Sequence, residues 1–295
     1  MTVNPFISEL LRGEWLIHNP EAYYEFAEML RQKLDVDFKS KYKPEEKALD
    51  ILDQYGSPLA PDASGNISVP KNAIAQVKMQ GEIMAYSDWC AKGADQIVAE
   101  LYRAQSLENV DATIFRIDSP GGSTKAIDTF REFARYKTKP VVGLIKDGLS
   151  LGYWAAVECC DYLMLDGDIS SRVGSIGVVA SFRDNTKALE DMGIKIHEIY
   201  PPESSHKNKD FMDAKAGDYK GIIKNSLSPL AKAFQDAVTK ARPNLVKEDG
   251  VLNGAVYFAK DALRLGLIDG IGDTRMAIEK AKQLGLRAKV QKSLH

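Results

Sequence analysis

Cysteine and histidine are scarce in this chain, with three of the former and four of the latter among 295 residues. Cys90, Cys159 and Cys160 are odd in number and spaced like neither a disulfide framework nor a zinc site, and the histidines are scattered. No metal and no cofactor is therefore expected. Adjacent Cys159 and Cys160 fall in an apolar stretch and read as small buried side chains, which implies a reducing compartment. An excess of either charge is also missing: 39 Lys and Arg face 41 Asp and Glu, for a net charge of −2. That balance leaves no electrostatic footprint for nucleic acid or for an anionic membrane. No window approaches the ~18 uninterrupted apolar residues of a membrane span. The opening Met1-Thr2-Val3-Asn4-Pro5-Phe6 carries no basic stretch followed by an apolar core, so no membrane anchor and a cytoplasmic location are expected. Internal repeats and low-complexity tracts are absent, which points to one copy of whatever unit the chain encodes.

What is present suffices for a large core, since 44% of the residues are hydrophobic. Residues 1 to about 55 read as helices. Asn19-Pro20-Glu21 makes a helix start ahead of Phe26, Leu30 and Leu34, and a second helix is expected from Pro44 to about Tyr55 through Leu49 and Leu52. Gly56 to Asn66 has linker composition, which divides the chain into a helical segment with linker (1–70), a main domain (71–285) and a tail (286–295). Beyond the linker, strand-like and helix-like stretches alternate: strands near 74–79, 112–117, 140–145 and 161–165, helices near 91–105, 124–136 and 151–160. Alternation of this kind predicts an α/β fold, a mostly parallel sheet covered by helices. Further on, 184–192 looks helical, 194–200 strand-like, and 218–241 reads as a long helix on the outside or between subunits.

Two strand-to-helix junctions carry chemistry. The first is Asp118-Ser119-Pro120-Gly121-Gly122-Ser123, where two glycines let an anionic oxygen approach backbone amides and Ser123 can cap the following helix. The second follows Pro140 to Ile145, where Ser150-Leu151-Gly152-Tyr153-Trp154 places a hydroxyl at the start of an apolar helix. In a parallel sheet both junctions lie at the carboxyl edge, so Ser150 and the Gly-Gly turn can face one another.

These motifs, with Val173-Gly174-Ser175-Ile176-Gly177-Val178 and the later Gly254-Ala255-Val256-Tyr257-Phe258 and Asp261 to Asp269, resemble the signal peptide peptidase A family of serine peptidases. The resemblance covers roughly Ala75 to Ala281 and implies a fold of the Clp protease and crotonase type, a polypeptide substrate and a homo-oligomer. It also implies Ser150 as nucleophile. A serine hydroxyl needs a base, and no histidine lies between Ser150 and Ser175 to provide a Clp-type triad. The family uses a lysine instead, which acts only as the neutral amine that burial favours. By register that lysine is Lys207 in Ser205-His206-Lys207, with Lys209 as the competitor, and Ser175 orients it. The amides of Gly122 and Leu151 are expected to form the oxyanion hole, with Gly121 needed for the turn. Leu151 departs from the family's more frequent glycine and is expected to narrow the cleft. Tyr153 and Trp154 read as core or cleft wall, and His206 as incidental. Without an anchor, the chain is closest in character to soluble phage and prophage members that process capsid or scaffold proteins, which would associate it with a prohead; otherwise it is expected to act as a soluble signal-peptide-peptidase-like protease. Two other readings remain open: a crotonase-type acyl-CoA enzyme, which needs the paired amides and no nucleophile, and a catalytically silent assembly protein of the same fold.

Overall fold

The computed structural model describes residues 14–17, as backbone, and 49–53, 55–62, 67–87, 92–182 and 184–294. Its strands are β1 (Glu14–Ile17), β2 (Leu49–Leu52), β3 (Ala73–Gln80), β4 (Val110–Ser119), β5 (Gly121–Ser123), β6 (Val141–Leu149), β7 (Tyr162–Asp166), β8 (Arg172–Gly174), β9 (Val179–Ala180), β10 (Val256–Phe258) and β11 (Gly270–Gly272). Eight of them form the main sheet, in the order β10-β8-β6-β4-β3-β2, with β7 paired to β6 and β11 to β7. The pairs β3–β4, β4–β6, β6–β7, β6–β8 and β7–β11 are parallel, while the end strands β2 and β10 pair antiparallel. β6 forks at its carboxyl end. Val142 to Ile145 pair with β7, and Asp147 to Leu149 pair with β8.

Apolar residues on both sides of these strands require cover on both faces. One face packs against the helices Ala94–Ser106, Ile127–Tyr136, Leu151–Cys159 and Ser228–Ala241, through Ile97, Leu101, Phe130, Phe133, Trp154 and Phe234. The other is covered by helix Thr274–Ser293 through Ala277, Ile278 and Ala281, against Ile114, Val142 and Leu144. Burying one such large side chain stabilises the fold by about 1.5–3 kcal/mol. Helix Leu151–Cys159 is buried at every position but Glu158, as an all-round apolar helix must be. Its Tyr153 hydroxyl donates to the Leu267 carbonyl at 2.7 Å, and Trp154 stacks on Phe234 with centroids 4.6 Å apart. These two aromatics are core residues that fix the helix behind Ser150.

Several expectations need correction. The described part of the stretch read as a second helix, Leu49–Leu52, is strand β2, and its pairing with β3 carries the sheet across the boundary expected near residue 70. The first helix expected, from Asn19, lies outside the described residues. Residues 194–200 form no strand, and Ile196 and Ile199 are 69% and 90% exposed. The tail expected from residue 286 continues helix Thr274–Ser293. The long helix expected at 218–241 is present as Lys220–Ile222, one π turn at Ile223–Leu227, and Ser228–Ala241.

Candidate active site

Ser150 sits where β6 gives way to helix Leu151–Cys159, with φ 53° and ψ −118°. A side chain is strained there, at a cost of about 1–3 kcal/mol, and such strain persists only where the surroundings enforce it. The surroundings are specific. The Ser150 amide donates to the Gly174 carbonyl at 2.9 Å, and the Ser150 carbonyl accepts from Tyr153 and Trp154, each at 3.0 Å. The residue is 1% exposed. Its hydroxyl donates to the Gly177 carbonyl over 3.4 Å, longer than ordinary hydroxyl hydrogen bonds. The backbone is thus held firmly and the oxygen loosely.

The Gly-Gly turn is a short strand, β5, rather than a direct entry to a helix. Ser119 sets it up: its hydroxyl donates to the Gly81 carbonyl at 2.7 Å and accepts from the Gly121 amide at 3.1 Å. That occupies the Gly121 amide, and Gly121, at φ +118°, serves the turn. Gly122 lies against Ile83, and a Cβ there would stand 1.9 Å from the Ile83 carbonyl oxygen, so no side chain fits. Ile83 donates to the Gly121 carbonyl at 3.0 Å and accepts from the Ser123 amide at 2.9 Å. Because peptide groups alternate along a strand, the N–H and C=O of Gly122 point to the opposite edge. The Ser123 hydroxyl accepts from the Lys125 amide at 3.3 Å and caps the turn that follows. Leu151, the first residue of its helix, presents one of the N–H groups that a helix start leaves without an intrahelical partner. The junctions meet at Gly152, where a Cβ would lie 3.0 Å from the Ser119 carbonyl oxygen.

Ser175 is the second serine in a left-handed conformation, at φ 54°. Its amide donates to the Ala255 carbonyl at 2.8 Å, and a Cβ on Gly174 would come within 2.3 Å of that same oxygen. The Gly254 to Phe258 stretch thus has a local role, since β10 clamps the Gly174-Ser175 turn. Arg172, donating from Nε to Asp147 at 3.0 Å, pins β8 beside β6. Asp118, at the end of β4, has its carboxyl pKa pushed up, first by burial and then by the neighbouring Asp147.

Ser150, Gly121, Gly122, Leu151 and Ser175 come together at the carboxyl edge of the sheet. The candidate lysines are in the segment that follows Pro202–Ser204. Lys207 is exposed on a turn after Pro202–Ser204, where its amide donates to the Ser204 carbonyl at 2.9 Å. Lys209 is exposed as well, and its Nζ lies 2.6 Å from an Asp213 carboxylate oxygen. That hydrogen bond raises the Lys209 pKa, the wrong direction for a base. Sequence reasoning missed Ser119, which takes the Gly121 amide out of play. It also missed Ile83, whose place beside the motif depends on pairing between strands far apart in sequence. Among the described residues no group of His, Cys, Asp and Glu could hold a metal ion, and no helix is long and apolar enough to cross a membrane.

Residues 134–288 match the model of Peptidase family S49, and the chain belongs to that family. Its fold is of the Clp protease and crotonase type, as the sequence motifs implied. The chain is 30% identical over 239 residues to Protease 4 of Haemophilus influenzae, covering 79% of this chain and 38% of that relative. It is 29% identical over 197 residues to the chloroplastic serine protease SPPA of Arabidopsis thaliana, covering 64% and 28%. To capsid assembly protease C of Escherichia phage lambda it is 28% identical over 190 residues, covering 63% and 42%. The chain therefore spans well under half the length of these relatives.

Proposed function

We propose that the chain is a serine endopeptidase that forms an acyl-enzyme on Ser150. The observation that carries this reading is the left-handed Ser150 at the end of β6, held beside a strand whose Gly122 admits no side chain. Ser150 Oγ attacks the peptide carbonyl, its proton passes to a lysine amine, and the developing oxyanion is received by the amides of Gly122 and Leu151. The carbon–nitrogen bond then breaks, the lysine returns the proton to the leaving amine, and water hydrolyses the ester. Against the acyl-CoA reading, paired amides alone give no reason to hold a serine at φ 53°.

The base in this reading is Lys207, supplied by a neighbouring copy of the chain and oriented by Ser175. Two features support it: Lys207 is exposed on its turn, and its segment carries exposed Ile196, Ile199 and Phe211, apolar surface that a second copy would cover. The substrate is a polypeptide, with two candidate classes. The name of the lambda relative favours capsid or scaffold protein, and the names Protease 4 and SPPA favour a more general proteolytic role. A mixed assembly of Ser150→Ala and Lys207→Ala chains tests the shared dyad. Each parent should be inactive on a peptide substrate and the mixture should regain part of the activity; stable mixed assemblies without recovery would place both residues in one chain.

A further inference from the structure

The Gly122 edge is already occupied by the chain itself. β1 lies antiparallel between two short strands, with Trp15 opposite Ser123, Leu16 opposite Gly122 and Ile17 opposite Gly121 on one side, and Glu14 opposite Ala180 and Trp15 opposite Val179 on the other. β5 would otherwise offer a bare edge, and strand edges bind extended peptides through their main chain. Gly121, Gly122 and Ser123 are all buried. The register fixes which atoms meet. Ile83 uses the Gly121 carbonyl and the Ser123 amide, so the free N–H and C=O of Gly122 face Leu16. In an antiparallel pair of that kind the two residues exchange both hydrogen bonds. The Leu16 carbonyl therefore accepts from the Gly122 amide, the donor assigned above to the oxyanion.

We propose that residues 14–17 are an intramolecular occupant of the peptide-binding groove, laid between β5 and β9 in the register of a substrate, with Leu16 in the acyl position. The proposal rests on the peptidase reading for the word substrate, and on the strand register alone for the occupancy. The groove then takes an extended peptide as the middle strand of three, and a substrate enters by displacing the chain's own segment. Main-chain pairing makes the groove tolerant of sequence. The segment lowers activity in proportion to its hold.

Two measurements on the full chain separate the occupancy from the chemistry. Amide hydrogen exchange, in a Ser150→Ala background that prevents turnover, compares the parent with Leu16→Pro, which removes the N–H that Leu16 gives Gly122. Exchange in the peptide covering Gly121–Ser123 should rise about tenfold or more, while β4 amides keep their protection and report an intact sheet. Trp15→Pro, which breaks the pairing with Val179, serves as the second variant and should act in the same direction. Unchanged exchange in both variants would overturn the proposal. With Ser150 restored, Leu16→Pro should also be labelled several times faster than the parent by a fluorophosphonate, and equal rates would contradict the blocking role. Raised exchange with no labelling of either chain would uphold the occupancy and overturn the assignment of Ser150 instead.

Discussion

The Ser150 amide donates to the Gly174 carbonyl at 2.9 Å, and through that single bond two serines with positive φ, Ser150 at 53° and Ser175 at 54°, flank one glycine. β6 and β8 pair in parallel up to Leu149 and Gly174, so the ladder delivers both serines to the same level of the sheet. Each has its backbone amide anchored on a carbonyl: Ser150 on Gly174, and Ser175 on Ala255. The arrangement separates support from chemistry, and the predictions follow that separation.

Strain at position 150 should be visible in stability. Glycine enters φ 53°, ψ −118° without a Cβ penalty, so Ser150→Gly should stabilise the fold by about 1 kcal/mol, the strain relieved less the entropy that glycine adds to the unfolded chain. Ser150→Ala keeps the Cβ and should leave stability nearly unchanged. Both should lack peptidase activity. Thermal unfolding of the three chains, run beside a peptide assay, checks the ranking; Ser150→Gly less stable than Ser150→Ala would contradict the account of the turn.

Position 122 admits no side chain. Gly122→Ala drives a Cβ towards the Ile83 carbonyl and must push β5 off its bridge, displacing the amide proposed to receive the oxyanion. Loss of one such donor costs about 3 kcal/mol of transition-state stabilisation, on the order of a hundredfold in kcat/KM. The fall should lie in kcat more than in KM. Activity within a few-fold of the parent would remove Gly122 from the oxyanion hole.

The two lysines should separate in a pH–rate profile. A lysine base works as the free amine, so the rate should rise from neutral to alkaline pH. The Asp213 carboxylate holds Lys209 in its charged form and raises its pKa, which disfavours the free amine over that range. Lys207→Ala should abolish the activity and its alkaline limb, whereas Lys209→Ala should retain both. The reverse ranking would move the base to Lys209.

Sequence alone revealed the alternating centre of the fold well, because β3, β4, β6 and β7 are short stretches rich in apolar residues and closed by turn residues. It failed where partners decide. Leu49 and Leu52, three apart, resemble a helical stripe, yet pairing with β3 makes them strand. Ile194, Ile196 and Ile199 suggest a strand, but among the described residues no strand pairs with them and they stay exposed. Of the site, the Gly-Gly turn and Ser150 stood out through residue type and spacing. The left-handed backbone of Ser150 and Ser175 did not, because serine gives no sign of positive φ as glycine does. The pairing of Leu16 with Gly122 joins positions more than a hundred residues apart, and no local pattern announces it.

The most direct test of the central claim is to trap the nucleophile. The full chain, in its assembled state, is treated with a peptidyl phosphonate and digested, and the adduct is located by mass spectrometry. The account predicts one modified residue, Ser150, with labelling abolished by Ser150→Ala and retained in Ser119→Ala and Ser123→Ala. An adduct on Ser119, Ser123 or Ser175, or undiminished labelling of Ser150→Ala, would contradict it.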